Sequence, residues 1–323
     1  AWFDSVPVLY LTGQVARFRF KGDTGVRQMG FQETDIVNMV HPVTKYAVLV
    51  TNAADLRFEL EKAVHIARSG RPGPVVVDVP DDLQREMIDP AALRPFVPEA
   101  EPAFVAGPKK PAPDDVARCL SLVRAAKRPV LVLGHGVRLS GMGGRVIELL
   151  DRLGMPVCPS WAAADMIPAS HPMLAGTFGT HGTRTGNFTI QNADLVLSIG
   201  ARLSTRETGS PLNHWAREAK TIIVDIDAAE LAKFAILDKP LDLAIEADAG
   251  AFIDALLGTL KESDRPDSRD WLVRVADWKR RYPPCLPEYR RDPHLNPYVF
   301  VDALSDHLQE DDVIVVDTGC AVA

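Results

Sequence analysis

The sequence predicts an α/β protein built on doubly wound parallel sheets. Short, solidly apolar runs alternate with segments whose apolar residues recur at helical spacing. Several of those helices close on a glycine that turns the chain straight into the next run. Runs apolar at every position suit strands covered on both faces, as parallel sheets are.

Val8–Leu11, closed by Thr12-Gly13, is the first strand. Leu56, Leu60, Ala63, Val64 and Ala67 mark a helix with Gly70 at its C′ position, and Gly70–Gly73 turns into a second strand, Pro74–Val79. Prolines then dominate from Pro90 to Pro113, an extended linker. A second α/β unit begins near Asp114. It has a helix through Val116, Cys119, Leu120 and Val123, a strand Pro129–Leu133, the loop Gly134-His135-Gly136, and a helix Val146–Leu153 closed by Gly154. Strands Asp194–Ile199 and Thr221–Val224 follow, and then a helix around Ala251–Leu257. A connecting stretch with Trp271 and Trp278 on an amphipathic helix leads to a third unit from Asn296-Pro297, whose strand Val313–Val316 runs into Asp317-Thr318-Gly319.

The 323 residues suffice for about two domains. With 46% hydrophobic residues the chain can bury a sizeable core. The net charge of −7, with no basic run interleaved with aromatics, argues against a nucleic-acid partner. No apolar run is long enough to span a bilayer, and no signal-peptide pattern opens the chain. Cys119, Cys158, Cys285 and Cys320 show no metal or redox spacing, which fits a reducing cytoplasm. The chain opens on Ala1 and closes at Ala323 just past a predicted strand, so we expect a longer protein.

Chemistry concentrates between Ala175 and Lys233. A glycine-rich loop (Gly176, Thr177, Phe178, Gly179, Thr180, His181, Gly182) precedes a strand ending on Gly200-Ala201-Arg202 and another ending on Asp225-Ile226-Asp227. Small residues admit a ligand close to the backbone, arginine grips phosphate, and a strand-end carboxylate accepts from a ribose hydroxyl. Each has a plainer reading: Gly134 and Gly136 as an ordinary turn, Asp225 and Asp227 as helix caps, Arg202 and Arg206 as surface charges. The coincidence of three strand ends favours nucleotide-type binding. Metal binding by His181 and a serine nucleophile find no supporting spacing. Glu33 reads as a carboxylate at a helix start.

Taken in order, Thr12-Gly13-Gln14-Val15, Phe31-Gln32-Glu33-Thr34, Thr44-Lys45, Ser69–Pro74, Val77-Asp78-Val79-Pro80, Gly179-Thr180-His181-Gly182, Gly200-Ala201-Arg202, Thr208-Gly209 and Asp225-Ile226-Asp227 resemble acetohydroxyacid (acetolactate) synthase, a thiamine-diphosphate-dependent family. The resemblance covers essentially the whole chain. It implies a three-domain architecture with the first and third domains incomplete: 1–94 the second half of a pyrimidine-binding domain, 95–113 a linker, 114–262 a central FAD-binding-like domain, 263–295 a linker, and 296–323 the start of a diphosphate-binding domain.

It also implies site residues. Gln32 falls where members place a glutamine against the thiamine cofactor, at a dimer interface. Gly319, Cys320 and Ala321 fall where the grip on diphosphate begins. Arg71, Gly134, Gly136, Ser160, Trp161, Phe178, Gly179, Thr180, His181, Gly200, Ala201, Arg202, Arg206, Asp225 and Ile226 fall on positions that hold FAD in flavin-binding members. The family's catalytic glutamate and its Mg2+ motif would lie outside this stretch, and a homodimer or homotetramer is expected.

The sequence departs from that pattern at three places. Leu203-Ser204-Thr205 lacks the two carboxylates that synthases carry between the arginines, Cys320-Ala321 replaces Gln-His, and Asp81 stands where synthases have lysine. The implied activity is decarboxylation of a 2-oxoacid such as pyruvate and transfer of the two-carbon unit to a second carbonyl. Asp81 and the segment Arg27–Gly30 suggest a keto-sugar acceptor as an alternative, and a non-catalytic nucleotide-binding fragment is a third.

Overall fold

The computed structural model describes residues 1–101, 108–309 and 311–315. The chain divides into two units, 1–108 and 109–323.

In the first unit β1 (Leu9–Gln14), α1 (Ile36–Val40), β2 (Tyr46–Leu49), α2 (Leu56–Arg68), β3 (Val75–Pro80) and α3 (Asp81–Gln84) follow in order. The sheet is parallel with order β1-β3-β2, so β3 is central. Its valines account for that place, since Val75 and Val77 are fully buried. Helix α2 lays Phe58, Ala63, Ile66 and Ala67 inward and ends at Gly70, whose φ of +57° suits a residue without Cβ. The half-buried Lys45 ammonium donates to the carbonyls of Ile66 and Ser69 at that helix end. Burial lowers its pKa, while the helix dipole favours a cation there.

The second unit contains α4 (Pro113–Ala125), β4 (Pro129–Leu133), α5 (His135–Leu139), α6 (Val146–Leu153), β5 (Val157–Pro159), α7 (Arg184–Asn192), β6 (Leu195–Ile199), α8 (Thr205–Thr208), β7 (Lys220–Asp225), α9 (Ala228–Ile236), β8 (Leu243–Glu246), α10 (Ala249–Thr259), α11 (Arg269–Arg281) and α12 (Pro297–Ser305). Its sheet is parallel throughout, with order β5-β4-β6-β7-β8.

Strand periodicity divides its core in two. Leu131, Leu133, Leu197, Ile199, Ile222 and Val224 face α4, α6 and α10 through Leu120, Leu149 and Phe252. Val130, Val132, Val196 and Ile223 face α7, α9 and α11 through Ile190, Phe234 and Trp271. The sheet is thus covered on both sides, as the unbroken apolar runs predicted. Helix α11 falls within the stretch 263–295 expected to connect domains. It packs into this core, and Trp271 Nε1 donates to the Pro129 carbonyl at 3.0 Å.

Three strands escaped the sequence pattern. β2, β5 and β8 have four, three and four residues. They lie at sheet edges, and such short runs carry little periodicity. The third unit's helix α12 starts where expected, and Asn296 caps it, accepting from Tyr298 N. Val313–Val315 form no strand and are exposed; Val316 lies outside the described residues. Cys119 and Cys158 are buried, and burial pushes the Cys119 thiol up to about 12. Among the described residues no helix is long and apolar enough to cross a membrane.

Helix α8 opens with a capping box: Glu207 reaches back to accept from the Ser204 amide at 2.8 Å. Burial raises this carboxyl above the ordinary glutamate value, partly offset by the Ser204 amide, Arg202 and Lys233.

Two outcomes follow for stability. A Cβ at Gly134 would sit 2.1 Å from the Gly200 carbonyl oxygen, against backbone that cannot yield. Gly134→Ala should therefore lower unfolding free energy by about 1–3 kcal/mol, as overpacking does. Exposed Gly258, inside α10 with open space around it, should gain about 0.5–1 kcal/mol on change to alanine. Denaturant midpoints read both. Glu207, with its folded pKa raised, contributes stability that is present below its unfolded pKa and lost as pH rises through the folded one. Glu207→Gln keeps an acceptor for Ser204 N. Its stability should match the wild type near pH ~4 and exceed it increasingly toward pH ~7, as urea midpoints across that range would show.

Candidate functional site

Strands β4, β6 and β7 are neighbours, so Gly134, Gly200 and Asp225 end up along one edge of the second sheet. The chain passes from β4 outward to β5 and then back to β6 on the other side. The boundary between β4 and β6 is thus a topological switch point, where open α/β sheets place their ligands.

The loops meeting there touch backbone to backbone. Gly134 N donates to the Ile199 carbonyl and Gly136 N to the Gly200 carbonyl, each at 2.9 Å. Gly200 has a φ of +63°, and its own missing Cβ would lie 2.9 Å from Gly136 Cα. These glycines make room for the adjoining loop. The Gly179 loop behaves likewise. Asn187 accepts from Gly179 N at 2.8 Å and donates to its carbonyl at 3.0 Å. Thr180 donates to the Arg206 carbonyl through both its amide (2.8 Å) and its hydroxyl (3.1 Å). The amides of Gly134, Gly136, Gly179, Thr180, Gly182 and Gly200 all donate within the protein.

Side chains also line this edge. Ser160, buried, anchors the loop after β5 through its amide to the Leu133 carbonyl at 2.8 Å. The next residue, Trp161, is 43% exposed and lies against His181, ring centroids 5.2 Å apart. The His135 ring approaches the Ala162 carbonyl at 3.3 Å. Arg206 is exposed and Arg202 half-buried, with the Lys233 ammonium bound to the Arg202 carbonyl and to Glu230. Phe178 and Ala201 are core residues, 2% and 3% exposed. Asp227 caps α9, accepting from Ala229 N at 2.9 Å, and Asp225 accepts from Asp227 N at 2.9 Å. The helix-cap reading of Asp227 is correct. Ile226 between them is half-buried. An exposed ring pair and two arginines suit a ligand with a flat aromatic part and an anionic part.

Arg71 and Gln32 belong to the first unit. Arg71 Nε donates to Ser5 Oγ at 2.9 Å. Gln32 is exposed with a φ of +66°. Its neighbour Glu33 accepts from the amides of Lys21 (2.7 Å) and Met29 (3.0 Å), bonds that hold its carboxyl below the ordinary range. Glu33 thus ties the preceding loop together. Asp81 is not a lone negative charge: Arg85 grips both its oxygens, at 2.8 and 3.1 Å. Gly319, Cys320 and Ala321 lie outside the described residues. No group of three metal-ligating side chains occurs among the described residues.

Sequence reasoning missed Glu207, Lys233 and Asn187. The Ser204-x-x-Glu207 spacing of a capping box was legible. The other two act through contacts made only in the folded chain.

Comparison with known proteins agrees with this geometry. Residues 116–256 match the family model for the thiamine pyrophosphate enzyme central domain. The chain is 34% identical to the acetolactate synthase isozyme 1 large subunit of Escherichia coli (strain K12), over 99% of this chain and 52% of that protein. It is 32% identical to a probable acetolactate synthase large subunit of Methanocaldococcus jannaschii, over 99% of this chain and 53% of that one. It is 34% identical to acetolactate synthase 1, chloroplastic, of Zea mays, over 88% and 42% respectively. The chain spans about half the length of the curated relatives it matches. The doubly wound parallel domain whose loops converge at the switch point thus matches, at residues 116–256, the central domain of thiamine pyrophosphate enzymes, within a chain similar along its length to acetolactate synthase large subunits.

Proposed function

We propose that this chain belongs to a thiamine-diphosphate-dependent carboligase of acetolactate synthase type, a cytoplasmic homodimer or homotetramer acting on a 2-oxoacid such as pyruvate. The observation that carries the reading is similarity to acetolactate synthase large subunits along 99% of the chain. Thiamine diphosphate, with Mg2+ bound by residues outside this stretch, supplies the electron sink for decarboxylation and two-carbon transfer. The chain's own part is to orient and enclose. Gln32, on its outward loop, contacts the coenzyme, and Gly319, Cys320 and Ala321 begin the grip on its diphosphate.

In the central domain we assign a nucleotide, FAD as in flavin-binding relatives, to the carboxyl end of the sheet. Trp161 and His181 offer a flat surface for its ring system. Arg202 and Arg206 face its phosphates. The ribose falls to Asp225 and Ile226. Gly134, Gly136, Gly179 and Gly200 serve by holding the loops together, and Ser160, Phe178, Thr180 and Ala201 by fixing their course. The flavin's role is structural, without net redox work. A keto-sugar acceptor is the second reading, raised by Asp81, which is paired with Arg85, and by the segment Arg27–Gly30.

Pyruvate supplied alone to the purified full-length protein should yield acetolactate, dependent on added thiamine diphosphate; absence of that dependence would overturn the proposal. Trp161→Ala should cut co-purifying flavin, read by absorbance, by about tenfold, the scale of one lost stacking contact. Undiminished flavin would move the nucleotide site elsewhere.

A further inference from the structure

The middle strand of the first sheet carries a buried acidic side chain. Asp78 is 1% exposed in a strand otherwise made of valine and a closing proline. Packing alone would favour another apolar residue, since a buried carboxylate is costly unless donors surround it. β1 supplies the donors. Thr12 lies opposite Asp78 in the register, and its hydroxyl donates to Oδ1 at 2.7 Å. Gln14, two residues on and on the same face, donates from Nε2 to Oδ2 at 3.1 Å.

The Gln14 amide does more than satisfy Asp78. Nε2 also donates to the Thr34 carbonyl at 2.6 Å, and Oε1 accepts from Val15 N at 2.9 Å. Asp78 therefore orients the Gln14 side chain so that its amide nitrogen spans from the sheet to the loop. Between Gln32 and Thr34, Glu33 holds the amides of Lys21 and Met29 from the preceding loop. Gln32 directly precedes these two clamped residues, in a left-handed conformation uncommon for a residue with a Cβ, beside Phe31, which is 82% exposed. Backbone of this kind persists only where its surroundings over-determine it, and it clusters at ligand sites.

We propose that Asp78 is a positioning residue: through Gln14 it fixes Thr34 and so sets the outward presentation of Phe31 and Gln32 to the coenzyme. The inference rests on the reading of Gln32 as a thiamine diphosphate contact.

Asp78→Asn and Gln14→Met test it in the full-length protein, by amide hydrogen exchange and by thiamine diphosphate titration followed through intrinsic fluorescence. Exchange at Lys21, Met29 and Glu33 should quicken by about tenfold, the worth of one charge-assisted hydrogen bond. Amides of Val75–Val77 should stay protected. Half-saturation by thiamine diphosphate should rise by a similar factor, with kcat recovered at saturating coenzyme. Should Asp78→Asn also expose Val75–Val77, the decision falls to Gln14→Met, which leaves the Thr12–Asp78 bond in place. Unchanged exchange at the three amides in that variant would overturn the inference. Gln32→Ala separates the two claims: unaltered half-saturation there refutes the coenzyme contact, while the exchange result bears on Asp78 alone.

Discussion

Two loops that follow adjacent strands must touch backbone to backbone at the switch point of the second sheet, and most of the candidate site depends on that contact. Gly134 and Gly136 on one side and Gly200 on the other leave no room for a methyl group. In closing on the Gly200 loop, Gly134 and Gly136 engage their own amides within the fold. Beside that contact stand the ring pair of Trp161 and His181 and the arginines after β6. The glycines act on function at one remove, by fixing where those side chains stand.

The charges around that edge follow the same logic. Arg202 and Lys233 lie near carboxylates the chain provides itself, Glu207 and Glu230. Beside the Arg202–Arg206 interval, which lacks two carboxylates, half-buried Glu207 follows one residue past Arg206. Its raised pKa shows that burial outweighs the neighbouring cations. In the first unit, buried Asp78 is satisfied by two donors from a neighbouring strand, and exposed Asp81 by an arginine on its own short helix. Acids that looked alike in the sequence are thus separated by their partners.

Legibility varied with length and with how local the signal was. The long apolar runs of β3, β4, β6 and β7 were readable because burial on both faces leaves a continuous signature. Gly70, Gly154 and Asn296 announced helix ends because capping is chemistry of adjacent residues. β5 and β8 were lost because strands of three and four residues carry too few positions to show a period. Glu33 and Asp227 were identified as acids near helix starts. Asp227 caps its helix as read, whereas Glu33 turned back to bind the loop before it, a choice set by amides twelve and four residues away.

By itself the sequence determined the α/β class, the parallel winding and the family resemblance, because hydrophobic periodicity and an ordered series of short motifs are properties of neighbouring residues. Only the tertiary structure decided what the motif residues do. Phe178 and Ala201 belong to the core, the glycines serve loop packing, and Asp78 reaches Gln14 across the sheet. These are outcomes of strand order and register, which bring together residues far apart in the chain and which no local pattern encodes.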